Sequence, residues 1–173
     1  QVQVEYNVWV TDSTGNRSLV RTEDNFTMKW NDKRIYLMNY NRYANEMFNG
    51  EQKNFAGKRI LLGISDAKQI KAQKSENSRY ILFRVNGNLW RYDQHDKKAL
   101  CMFTFADGSN DDVRADYGKH NVKVLAASDE GDVDFLVYGY MNRGNHEGEN
   151  GIAGYHYMAS ENALEERYFI PYS

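Results

Sequence analysis

One cysteine and one proline occur in 173 residues, and each shortage excludes something. Cys101 has no partner for an internal disulfide, so the fold must rest on packing and hydrogen bonds. Its neighbours Met102 and Phe103 mark it as a buried thiol. With so little proline, turns must be made by Gly, Asn and Asp, which tolerate left-handed backbone or bond to their own main chain. A bilayer-crossing helix needs roughly 18 consecutive apolar residues, and the chain has no such membrane-spanning segment. Charge of one sign is missing too: 22 basic and 24 acidic residues are mixed along the chain, for a net charge of -2. Without a basic stripe to displace counterions from phosphates, no nucleic-acid partner is expected.

Motifs that carry chemistry are also absent. There is no Gly-x-Ser-x-Gly elbow, no His-Glu-x-x-His and no Cys/His pairing. Gly139-Tyr-Met-Asn-Arg-Gly144 lacks the Lys-Ser/Thr of a phosphate loop. His120, His146 and His156 are scattered, and His156 alternates with Tyr155 and Tyr157 as a packed or surface imidazole would. Asp107, Ser109 and Asp111 resemble the start of a calcium loop, but Asp112 replaces its glycine and Gly118 its bidentate Glu. No catalytic residue, metal or cofactor is therefore expected. Asp132, Asp134, Glu147, Glu149, Glu165 and Glu166 are numerous carboxylates, yet spacing singles out no catalytic pair.

What the chain does have is aromatic weight. Thirteen Tyr and eight Phe favour strands, whose pleated, half-buried surface suits flat side chains. Turn residues then divide the chain. Asp12-Ser13-Thr14-Gly15-Asn16 should reverse the run Val2–Val10, and Asn31-Asp32 separates Phe26–Trp30 from Arg34–Tyr40. Asn86-Gly87 between Tyr80–Val85 and Asn88–Tyr92 is a strong hairpin signal. Asp129-Glu130-Gly131 joins Val122–Ala127 to Asp132–Met141, where Val133, Phe135, Val137, Gly139 and Met141 share one face.

The expected fold is all-β, built of antiparallel four-stranded meanders as in a partial β-propeller, with short helical inserts. Its blade-like units span 2–43, 58–106 and 120–170, each with about four strand-like runs per ~40–50 residues. Asn41–Gly57 reads as a loop or short helix, Asp66–Ser78 as helix-compatible, and Ser109–Tyr117 as a capped helical turn. An eight-stranded lipocalin-like barrel is the rival architecture, although Trp9 and Trp30 lack the glycine of an early Gly-x-Trp motif.

The third unit carries a family resemblance. Lys123–Asp129, Gly131–Tyr140, Ile152–Met158 and Glu165–Ile170 give the order strand, Ser-Asp-Glu-Gly turn, long strand, loop, strand, Asn-bearing turn, strand. This resembles the repeats of TolB-type and related β-propellers. The run from Val137 to Ile152 is similar to segments of large envelope-associated proteins of Gram-positive bacteria whose activity is not established. The resemblance implies a location at the cell envelope or outside the cell, and a place within a larger, lipoprotein-like chain. Three blades do not close a ring, so the chain reads as a fragment, an open stack or part of an oligomer. Its start at Gln1 fits a processed or trimmed chain. Two glycosylation sequons, at Asn16 and Asn25, are of the kind that arises by chance.

The loop Tyr138–Gly151 is the candidate ligand site. Its four glycines permit close backbone approach. Arg143 offers a planar fork for a carboxylate or phosphate. His146 and Glu147 could share a proton, Tyr138 and Tyr140 could stack on a sugar, and Asn142 completes the set. The bland alternative is a polar hairpin loop with Arg143 paired to a carboxylate. The function expected is a non-catalytic binding or scaffold module recognising a protein or glycan. A carbohydrate-active hydrolase and a small-ligand carrier barrel are the alternatives. Open sheet edges would also allow self-association.

Overall fold

The computed structural model describes residues 1–57, 59–62, 70–106, 114–115 and 118–172. The residues of the calcium-like run, Asp107, Ser109, Asp111 and Asp112, lie outside these, as do most of Ser109–Tyr117 and the start of Asp66–Ser78.

Among the described residues, thirteen strands form four antiparallel sheets, and none closes into a barrel. The lipocalin-like alternative is thereby corrected, because each meander ends before its strands can circle back to pair. The chain divides into two compact units, Gln1–Asn49 with Lys53–Ala67, and Gly50–Gln52 with Lys68–Ser173.

In the first unit, β1 (Val2–Thr11), β2 (Arg17–Trp30) and β3 (Ile35–Glu46) form a meander in the order β1-β2-β3. Asp12 builds the first turn: its Oδ1 accepts bonds from the Thr14 and Asn16 amides at 2.8 and 3.0 Å. Asn31 Oδ1 accepts from the Lys33 and Arg34 amides in the same way, both at 3.0 Å. This unit has three long strands where four shorter runs were expected. The start of Asn41–Gly57, the segment that reads as a loop or short helix, is instead the continuation of β3 to Glu46, and a short 3-10 turn follows at Gln52–Asn54. A two-residue hairpin follows, β4 (Phe55–Ala56) with β5 (Arg59–Ile60).

Both faces of the meander are largely open, and every residue of β1 is exposed. One polar knot covers its middle. Asp24 of β2 is 5% exposed, and accepts bonds from Tyr6 Oη (3.0 Å), Tyr40 Oη (2.8 Å) and Arg42 Nε (2.7 Å). The Arg42 hydrogen bonds, ahead of those from the tyrosines, hold the Asp24 carboxyl far below the usual carboxylate range.

The second unit contains β6 (Gln73–Lys74), β7 (Tyr80–Val85), β8 (Asn88–Asp93) and β9 (Lys98–Phe103) in one sheet. A second sheet holds β10 (His120–Ala127), β11 (Val133–Tyr140), β12 (Asn150–Met158) and β13 (Ala163–Pro171). Both are four-stranded meanders in sequence order, as propeller blades are. The described part of Asp66–Ser78 is β6 and a turn, not helix, because the Ser75 hydroxyl and amide are engaged at Tyr80.

Strand alternation supplies the core. Leu82 and Leu89 from one sheet meet Val133, Phe135 and Val137 from the other, with Met102, Phe103, Ala153 and Tyr157 around them. Each large apolar side chain buried this way contributes about 1.5–3 kcal/mol. Polar contacts join the sheets at their rims. Arg91 donates to the Gly131 carbonyl at 2.7 Å, and Asp129 accepts from the Asn77 amide at 2.8 Å. At the opposite end the buried His120 Nε2 bonds to the Gly87 carbonyl at 2.9 Å. Cys101 is half-buried rather than fully enclosed, and burial pushes its thiol up to about 11.

Candidate functional site

The β11–β12 connection is shorter than its glycines imply. Strand pairing continues through Gly139↔Gly151 and Tyr140↔Asn150, so only 141–149 form the loop. Its own main chain holds it: the Met141 amide donates to the Glu149 carbonyl (2.8 Å) and the Gly148 amide to the Met141 carbonyl (2.9 Å).

Beneath the loop lies a chain of contacts that ends in the core. The His146 ring stacks on Phe169 of β13, with centroids 3.7 Å apart and planes 11° from parallel. Phe169 can lie there because residue 151 is glycine: a Cβ on Gly151 would stand 2.5 Å from the Phe169 ring and 2.6 Å from the Ile170 carbonyl. His146 Nε2 is 2.8 Å from Glu166 Oε1, and a carboxylate can only accept, so Nε2 carries the proton. Tyr155 Oη donates to the other oxygen, Oε2, at 2.9 Å. Behind it, the Tyr155 ring packs on Phe135 and Phe103, each at 5.5 Å between centroids. Burial, and then the bond to Glu166, raises the Tyr155 phenol above its ordinary value, which keeps it a donor.

Met141, Arg143, Gly144, Asn145, His146, Tyr155, Leu164 and Glu166 line an open cleft of about 340 Å³. Arg143 also bonds to both oxygens of Glu147 at 2.9 Å, and Arg114 reaches Glu147 at 3.0 Å. The cleft is therefore already ordered by internal contacts, amphipathic, and walled by groups that donate and groups that accept.

No protein-family model, no curated protein and no solved structure matches this chain. Its geometry must carry the reading.

Of the expected site residues, the structure brings Arg143 and His146 to the cleft. Tyr138 and Tyr140 are strand residues, opposite Ile152 and Asn150, and alternation turns them to the sheet face away from Val133, Phe135 and Val137. They do not line the cleft. Asn142 does not either: it is 2% exposed, its Nδ2 donating to the Ala115 carbonyl at 3.1 Å, so it fastens the loop instead of meeting a ligand. Asn142 Oδ1 has no hydrogen-bond partner among the described residues. Glu147 serves as the counter-charge of Arg143, as in the bland reading of the loop.

Sequence reasoning missed Leu164 and Phe169, and could not choose Glu166 from its acidic neighbours. One signal was present. The Asn-bearing turn at 159–162 puts β12 against β13, while the bulge between Gly154 and Tyr155 that sets Tyr155 opposite Glu166 has no mark in the sequence. The other three histidines do not join this group. His120 lies between Phe103 and Phe105 in ring-edge contact, His156 pairs with Asp134 at 2.7 Å, and His95 with Asp96 at 2.7 Å.

Proposed function

We propose that this chain is a non-catalytic binding module of the cell envelope or extracellular space, and that the β11–β12 cleft seats a glycan. The observation that carries the reading is the lining of the cleft. Arg143 presents donors, and His146 Nδ1 and Glu166 present acceptors, beside the apolar walls of Met141 and Leu164. Sugar hydroxyls both donate and accept, so they can insert into such a lining, while the sugar's C–H faces take the apolar walls. The side chains are positioned before any ligand arrives, which lowers the ordering cost of binding. Against hydrolysis, both oxygens of Glu166 already accept hydrogen bonds, from His146 and Tyr155. The envelope location rests on the likeness of the third meander to TolB-type repeats and envelope-associated proteins.

Titration of the isotope-labelled chain with soluble N-acetylglucosamine oligosaccharides, followed by amide chemical shifts, tests the proposal. Shifts should cluster at Gly144, Asn145, His146 and Leu164, and Arg143→Ala should weaken binding by about tenfold or more, as for a lost charged hydrogen bond. Shifts confined elsewhere would overturn the glycan site. Cleavage of the oligosaccharide would replace it with the hydrolase reading, and selective binding of acidic peptides would assign the cleft to a protein partner.

A further inference from the structure

The outer edge of β1 pairs with no described strand, and its sequence is a near-mirror of itself. Read from Val2 to Val10 it is Val-Gln-Val-Glu-Tyr-Asn-Val-Trp-Val, with valines placed symmetrically about Tyr6. Alternation puts Val2, Val4, Tyr6, Val8 and Val10 on one face, all exposed. An uncovered edge presents unpaired amides and carbonyls and is a template for another strand. Natural edges are commonly blunted by bulges, proline or several charges. β1 has none of these: its pairing with β2 runs from Val2↔Phe26 to Thr11↔Arg17 without a bulge, and Glu5 is its one charge. The other edge, β3, is irregular by contrast, since its pairing with β2 breaks register between Thr27 and Met28.

We propose that two copies of this chain pair β1 to β1, antiparallel, about a two-fold axis at Tyr6, and so form one continuous sheet from two three-stranded meanders. Directly opposed residues of an antiparallel pair share a face. In this register Val2 opposes Val10 of the second copy, Val4 opposes Val8, and Tyr6 opposes Tyr6. On the reverse face Gln3 meets Trp9 and Glu5 meets Asn7. The same register overlaps the whole run Val2–Val10. Slipping it to centre on Glu5 would set two carboxylates face to face.

Charge fits a second copy as the occupant. Glu5 is already compensated by Arg21 of its own chain at 2.8 Å, so pairing brings no unmatched carboxylate into the joint. Tyr6 keeps its bond to Asp24, because that bond runs across to β2 and away from the free edge. The assembly is isologous and closed, with each copy offering the same strand. This inference is independent of the cleft.

The test is sedimentation equilibrium of the full chain and of two double variants that differ in one sign. The wild type should sediment at twice the chain mass at about 100 µM, a concentration where even a micromolar dimer is nearly filled. Val4→Lys with Val8→Lys opposes like charges twice and should give a monomer. Val4→Glu with Val8→Lys opposes unlike charges twice and should remain a dimer. Circular dichroism shows that each variant keeps its strands. Independently of any variant, β1 amides of the wild type should gain hydrogen-exchange protection as concentration rises. A monomeric wild type, equal behaviour of the two variants, concentration-independent β1 exchange, or open-ended higher assembly would each overturn the proposal.

Discussion

At the scale of single residues, His120 shows how burial becomes pH dependence. Burial removes water from its imidazolium form, and this outweighs the favourable bond to the Gly87 carbonyl, so its pKa in the fold lies below 6.5. The unfolded chain therefore takes the proton first. Stability from the neutral ring is fully present above pH 6.5 and is lost as pH falls through that value towards the folded pKa. Urea midpoints should fall between about pH 7.5 and about pH 5.5, and His120→Gln should flatten that slope. Gly151 makes a different prediction. A methyl group there would meet both the Phe169 ring and the Ile170 carbonyl, and a backbone atom cannot swing aside. Gly151→Ala should cost roughly 1–3 kcal/mol in urea unfolding, the usual penalty for overpacking, and should unstack His146.

At the scale of elements, much was legible because turns are local chemistry. Asn86 and Gly87 occupy left-handed backbone, φ 51° and 80°, as the dipeptide predicts for a two-residue hairpin. The alternation in β11 placed Val133, Phe135 and Val137 in the core, where each is at most 1% exposed. The loop was harder. Four glycines made Tyr138–Gly151 look like one long loop, yet Gly139 and Gly151 face each other inside the ladder. That pairing depends on a partner strand, which composition does not reveal. The cleft was harder still: Glu166 is 20 residues from His146, and its selection depends on a bulge one residue long. Asn142 was misplaced for a related reason. Its polar side chain suits a loop surface, but its Nδ2 satisfies an otherwise distant carbonyl at Ala115.

At the scale of the whole molecule, the two units should differ in local stability. The second holds the apolar core shared by its two sheets. The first exposes Val2, Val4, Trp9, Trp30, Ile35, Leu37 and Met38 and relies on backbone pairing with the Asp24 knot. Amide exchange should accordingly be slowest in β7, β8, β11 and β12 and markedly faster in β3, whose ladder faces solvent on both sides. Equal protection in the two units would show that the first has cover that its own strands do not provide.

The glycines of β12 also bear on how this sequence can change over time. A Cβ on Gly154 would stand 2.4 Å from the Tyr168 ring, as one on Gly151 would crowd Phe169. Gly154 and Tyr168 thus form a unit of inheritance: neither side can be enlarged alone. Among descendants of a common ancestor, a side chain gained at 154 should be accompanied by a smaller residue at 168, whereas position 151 should stay glycine, because no exchange at 169 removes the Ile170 carbonyl.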